Sequence, residues 1–228
     1  MTSHDGRAPA AGPVSAAPAA VPTGNVYAKY ETDHPVEGAL MRRFLRRLDR
    51  AVGACGSART ILEVGTGEGE IAARMTRRFP EAVILGVDLP EPSLAQDWAG
   101  ASWAPAFADA GHLPVRDGSI DLVLAIEVLE HLADPEAALA ELARVGRGWV
   151  VVSVPLEPLW RMGNLVRRRY LRSLGNTPGH VQHWSRRRFV SSVRRHLDVH
   201  EVMSPLPWTL VVARPRRSPA HLDSWAGG

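Results

Sequence analysis

The run Ile61-Leu62-Glu63-Val64-Gly65-Thr66-Gly67-Glu68-Gly69-Glu70-Ile71-Ala72 constrains the fold more than any other stretch of the chain. It reads as a buried strand from Thr60 to Val64, a turn of three glycines, and a helix opening near Glu68. Gly65, Gly67 and Gly69 put no side chains over the turn. A ligand can then lie directly on the main chain, with free N–H groups of a helix N-terminus behind it. The apolar run before the turn suits a central parallel strand covered by helices on both faces. Together these point to a nucleotide-like cofactor. An ordinary glycine-rich strand-to-helix turn is the plain alternative, because a short glycine pattern alone is a weak signal.

The rest of the chain repeats the strand–helix rhythm. A helix with Leu40, Phe44, Leu45 and Leu48 on one side is predicted from Val36 to about Val52. After the glycine turn come a helix from Glu70 to Phe79, a strand from Ala82 to Asp88, and a short strand near Ser102 to Phe107. A strand from Ile120 to Ile126, a helix opening at Asp134-Pro135 and a strand from Trp149 to Val154 follow. This alternation means a parallel sheet with right-handed crossovers. Beyond it the rhythm breaks into an arginine-rich helical insertion from Trp160 to Ser173 and a loop from Leu174 to Ser185. A helix to Leu197 and two last strands, Val199 to Met203 and Thr209 to Ala213, complete the pattern.

The 228 residues, 45% of them apolar, divide into three parts. Residues 1–24, mostly Ala, Pro, Gly and Ser, are expected to be a disordered tail. Residues 25–215 form one domain with an acceptor insertion at about 156–185, and residues 216–228 form a flexible tail. Cys55 is the only cysteine, no apolar run is long enough to cross a bilayer, and no secretory signal is visible, so a cytoplasmic protein is expected. A net charge of +3 does not by itself argue for nucleic acid.

Two cofactors compete on spacing. Gly67-x-Gly69-x-x-Ala72 fits the dinucleotide fingerprint, and Asp88 follows at the distance of a ribose-binding acid. Against NAD stand Glu63 inside the first strand's end, where it would repel a pyrophosphate, and a further acid, Asp109, after the third strand. Clustered acids suit a cofactor that carries positive charge.

Four motifs in order then resemble the class I S-adenosylmethionine-dependent methyltransferases, in particular their broad small-molecule (type 11-like) group. They are Glu63 to Gly69, Asp88, Asp109-Ala110-Gly111-His112-Leu113-Pro114-Val115, and Asp117 to Val123 followed by Glu127-Val128-Leu129-Glu130-His131. The resemblance implies a Rossmann-like seven-stranded α/β sheet of order 3-2-1-4-5-7-6, with strand 7 antiparallel. It implies S-adenosyl-L-methionine as cofactor, with Gly65 and Gly67 at its methionine part, Thr66 among the cofactor-binding residues and Glu63 near its ammonium. Asp88 would hold the ribose hydroxyls, Leu89 the adenine ring, Asp109 its exocyclic amine, and Glu127 the floor near the methyl group, with Ala110 also among the cofactor-binding residues.

A hydroxyl acceptor wants a base within hydrogen-bond reach, and histidine is suited to that task. His131, His180 and His183 are the candidates, with Tyr27, Tyr30, His180, His183 and Trp184 expected to contact the acceptor. A small molecule, such as a natural-product hydroxyl, is the expected acceptor. The segment after the fourth strand lacks the Asn-Pro-Pro-Tyr type of motif that accompanies methylation of nucleic-acid bases. Arg167-Arg168-Arg169 and Arg186-Arg187-Arg188 keep RNA or a lipid-linked acceptor open, and a binding protein built on this fold is a further alternative. No cysteine–histidine spacing supports zinc, and a magnesium set of Glu127, Glu130 and His131 is only weakly suggested.

Overall fold

The computed structural model describes residues 35–156 and 181–216. Within them lie α1 (Pro35–Ala54), β1 (Thr60–Val64), α2 (Glu70–Arg78), β2 (Val83–Asp88), α3 (Pro92–Asp97), β3 (Ala104–Phe107) and β4 (Ile120–Ile126). They continue with α4 (Pro135–Val145), β5 (Gly146–Pro155), α5 (Arg186–His196), β6 (Leu197–Met203) and β7 (Trp208–Pro215). The seven strands form one sheet of order β3-β2-β1-β4-β5-β7-β6. β1 to β5 pair in parallel, and β7 runs antiparallel to both β5 and β6. The carboxyl ends of β1 to β5 therefore share one edge. The chain order reverses between β1 and β4, which is where open α/β sheets bind ligands.

Both faces of the sheet are covered, and strand alternation divides the core accordingly. On β4, Val123 and Ala125 pack with Leu139, Leu142, Phe189 and Val193 of α4 and α5. Leu122, Leu124 and Ile126 pack with Phe44, Leu48, Ile71 and Met75 of α1 and α2. The buried face of α1 is Met41, Phe44, Leu48, Ala51 and Val52. Met41 thus stands in the stripe, while Leu40 and Leu45 are only half-buried at its margin. Phe44 meets Trp208 of β7 with ring centroids 5.0 Å apart. Burying side chains of this size contributes about 1.5–3 kcal/mol each, which docks α1 on the antiparallel end of the sheet.

Some boundaries differ from the sequence expectation for local reasons. α2 begins at Glu70, as the span Glu70 to Phe79 predicts, rather than at the Glu68 of the glycine-turn reading, with Gly69 capping it in the left-handed conformation (φ 90°). The short α3, with Pro92 at its first position, carries no sequence periodicity that a single turn could display. β5 starts three residues earlier than Trp149, where Gly146 pairs with Ile120 across a shift in register. On the far face, α4 is capped by Asp134, whose carboxylate accepts the N–H groups of Glu136 and Ala137. Glu136 then ties α4 to α5 through Ser192, Arg195 and, at 2.7 Å, His196.

Candidate functional site

The glycine turn is held from beneath by β2. The N–H groups of Gly65 and Thr66 both donate to the Val87 carbonyl, at 2.8 and 3.0 Å, and Gly69 donates to Thr66 O at 3.0 Å. Thr66 is buried, and its hydroxyl donates to the Glu63 carbonyl. Its polar groups are spent inside the turn, so Thr66 supports the turn's shape and does not offer a side chain to a ligand. Gly65, Gly67 and Gly69 all have positive φ (74°, 53° and 90°), a conformation that a side chain disfavours. A Cβ on Gly69 would also lie 2.5 Å from the Trp103 ring. Protein packing, as well as ligand access, dictates this glycine.

Three acids stand where β1 and β2 end and just after β3. Glu63 is 2% exposed, and burial raises its pKa well above the usual carboxylate value, with Asp88 and Glu70 adding to the rise. The N–H of Ala72 opposes this by donating to it. Its Oε2 is buried and meets no hydrogen-bond partner among the described residues. An ammonium group is the partner such an oxygen fits. Asp88 accepts the N–H of Gly67 at 2.7 Å through Oδ2 and that of Leu89 at 2.8 Å through Oδ1, fixing its plane against the turn. Each carboxylate oxygen keeps lone-pair capacity for a hydroxyl. Asp109 closes its own turn by accepting Gly111 N–H at 2.8 Å, beside the buried Ala110. The donor set therefore fits a ligand with an ammonium and a ribose.

Just past β4 stands Glu127, the one non-glycine residue with positive φ (59°) among those described, whose N–H donates to the Ser153 carbonyl of β5. A non-glycine residue held there at a strand end is a mark of functional sites. The following turn places His131 Nε2 4.0 Å from the buried Glu130 Oε1. The Glu130 carbonyl accepts the N–H groups of Val181 and Gln182, at 2.9 and 3.0 Å. This joins the loop after β4 to the chain returning toward α5.

The acceptor residues are placed unevenly. Tyr27, Tyr30 and His180 lie outside the described residues. His183 is exposed. Trp184 corrects the expectation: it is 2% exposed and packs in the core against Phe189, with Arg188 stacked over its ring. Its ring faces are thus taken by protein, and it anchors α5 rather than stacking on an acceptor. Among the described residues no three His, Cys, Asp or Glu side chains converge as a metal site. A cavity of about 410 Å³ lies beside the turn, lined by Glu68, Gly69, Glu70, Asp97, Ser102 and Trp103, but none of the three strand-end acids borders it.

Residues 62–151 match the family described as methyltransferase domain. Over these residues the chain is similar to methyltransferase domains, and its sheet order is that of the class I methyltransferase fold. The chain is 35% identical over 126 residues to a malonyl-[acyl-carrier protein] O-methyltransferase of Geobacter sulfurreducens, covering 53% of this chain and 47% of that one. It is 33% identical over 145 residues to a demethylmenaquinone methyltransferase of Thermus thermophilus, covering 60% and 65%. The chain thus spans about half to two thirds of the length of these relatives. In fold it is similar to the geranyl diphosphate C-methyltransferase of Streptomyces coelicolor, solved with Mg2+, geranyl diphosphate and S-adenosyl-L-homocysteine (TM-score 0.61, 14% identity, 83% of this chain and 85% of that one).

The sequence reading missed Trp98. It is 6% exposed, and its indole N–H donates to the Gly67 carbonyl at 2.8 Å. No motif or periodicity marks it, because its role comes from α3 folding back onto the turn.

Proposed function

We propose that the chain is an S-adenosylmethionine-dependent methyltransferase acting on a small-molecule acceptor, a hydroxyl of a natural product or other secondary metabolite, in the cytoplasm. The observation that carries this reading is the buried Glu63 carboxyl, with Oε2 lacking a partner among the described residues, next to the turn-bound Asp88. When bound, the cofactor supplies a methyl group on a positively charged sulfur, so the donor is already activated. The chain's task is alignment and exclusion of water. Glu63 would meet the ammonium and Asp88 the ribose hydroxyls. Leu89, Ala110 and Asp109 would hold the adenine, with Glu127 lining the floor of the site. His131 would take the acceptor's hydroxyl proton. His183 and His180 would contact the acceptor, together with Tyr27 and Tyr30. The malonyl-[acyl-carrier protein] and demethylmenaquinone in the relatives' names are not nucleic acids, which supports an acceptor other than RNA.

One observation favours a second reading. Arg186, Arg187 and Arg188 are all exposed at the start of α5. They stand at the carboxyl edge, since α5 runs back from that edge to β6. A phosphate-bearing acceptor, on RNA or on a lipid, would suit them. Incubation with methyl-labelled S-adenosylmethionine and separate pools of metabolites, RNA and lipids decides the matter by mass. The proposal expects label in a small molecule, and label confined to RNA or lipid overturns the acceptor class.

A further inference from the structure

Two indoles reach the glycine turn from the segment that follows β2. Trp98, at the end of α3, donates its Nε1–H to the Gly67 carbonyl at 2.8 Å. The Trp103 ring occupies the space that a Cβ on Gly69 or Gly86 would need, 2.5 Å from each. The two rings pack edge to face with centroids 5.7 Å apart, and Phe107 at the end of β3 lies 4.9 Å from Trp98. Gly67 is thus fixed on both sides of its Cα. The peptide before it is held by its N–H bond to Asp88 at 2.7 Å. The peptide after it is held through its carbonyl by Trp98. Gly67 has a φ of 53° and no side chain to restrict it, so these two bonds choose one conformation among many that glycine could adopt.

We infer that Trp98 is a positioning residue for the cofactor site: by bonding the Gly67 carbonyl it sets the Gly67 backbone that in turn orients the Asp88 carboxylate. The inference rests on the reading that Asp88 holds the ribose. The path is short and physical. With the Trp98 bond lost, the Gly67–Glu68 peptide plane is free to rotate and Gly67 samples other φ/ψ values. Its N–H then leaves Asp88 for part of the time, and the carboxylate loses the bond that fixes its plane. Leu89 N–H, at 2.8 Å, still holds the other oxygen, so the site loosens without collapsing. Trp98 itself touches no reacting atom.

The test is a double-mutant cycle read by calorimetric binding of S-adenosyl-L-homocysteine. Trp98→Phe keeps a ring in the aromatic cluster and removes only the donor. The variant is expected to bind about fivefold more weakly than wild type, the scale of one neutral hydrogen bond. In an Asp88→Ala background the same change is expected to cost less than about twofold, because the group it acts through is gone. An equal loss in both backgrounds makes Trp98 a packing residue and overturns the inference, as does wild-type affinity in Trp98→Phe. Wild-type protein that binds no S-adenosylhomocysteine overturns the cofactor reading itself, a separate outcome. Should Trp98→Phe not fold, the wild-type protein still answers. The Trp98 indole proton, seen by nitrogen-edited NMR, is expected to exchange slowly and to shift on ligand addition. A fast-exchanging, unmoved proton contradicts the inference.

Discussion

A Cβ built on Gly65 would lie 2.3 Å from Cγ2 of Val128. This contact joins the turn after β1 to the loop after β4 across the reversal point of the sheet. It means that the first glycine of the turn is fixed by its neighbour as much as by any ligand. Gly65→Ala therefore meets two penalties: roughly 1–2 kcal/mol for a side chain at φ 74° and about 1–3 kcal/mol for overpacking. The expected loss in urea unfolding is about 2 kcal/mol or more. Adding Val128→Ala is expected to recover the overpacking part alone. Complete recovery would mean that the backbone conformation carries no strain.

Glu63 links binding to pH. Its carboxyl is protonated in the free protein over a range well above 4.5, where an unfolded glutamate is already ionised. Between those two pKa values the folded state holds more protons, so the Glu63 contribution makes stability fall as pH rises. An ammonium partner favours the charged form, so cofactor binding should release a proton and strengthen as pH rises through the raised pKa. Calorimetry in buffers of different ionisation enthalpy should show that release in wild type and none in Glu63→Gln. The glutamine variant should unfold at higher denaturant near neutral pH and bind cofactor at least about tenfold more weakly, as expected for losing a charge-assisted bond. A variant of unchanged affinity would remove Glu63 from the site.

At the other end of the pH scale stands Glu136. Its hydrogen bond from Arg195, with further bonds from Ser192 and His196, lowers its pKa to about 2. The α4–α5 tie it makes is present above the unfolded pKa of 4.5 and lost as pH falls toward 2. Glu136→Gln should flatten the acid limb of a stability-against-pH curve, and an unchanged limb would place the acid sensitivity elsewhere.

For the acceptor half, His131 and His183 separate by substitution. His131→Gln is expected to lower turnover by about a hundredfold, the usual scale for losing a general base, with cofactor affinity within about threefold. His183→Ala, removing an exposed ring, is expected to stay within about fivefold of wild type. The reverse ranking in single-turnover kinetics would move the base into the returning loop.

The order of elements and the acids at the strand ends were legible because each rests on a local signal. The apolar run Ile120 to Ile126 reads as a strand wherever it is packed, and Gly65-x-Gly67-x-Gly69 breaks it into a turn through backbone freedom alone. Trp184 was misread for the opposite reason. Its place among histidines and glycines suggested a binding loop, but its burial against Phe189 and Arg188 comes from where α5 docks, which no neighbour in sequence reveals. Thr66 shows the same limit at smaller scale: the turn's curvature, not its composition, sends the hydroxyl inward to Glu63. Trp98 was invisible because its partner, Gly67, lies 31 residues away.

The central claim is that the turn from Gly65 to Gly69, with Asp88, holds S-adenosylmethionine, and calorimetric titration tests it most directly. Wild-type protein should bind both S-adenosylmethionine and S-adenosylhomocysteine and give no heat with NAD. Asp88→Ala should weaken both by at least about tenfold while its thermal unfolding stays cooperative, because two hydroxyl bonds to a carboxylate are worth about 1.5–3 kcal/mol each. Tight NAD binding with no response to either sulfur compound would contradict the account.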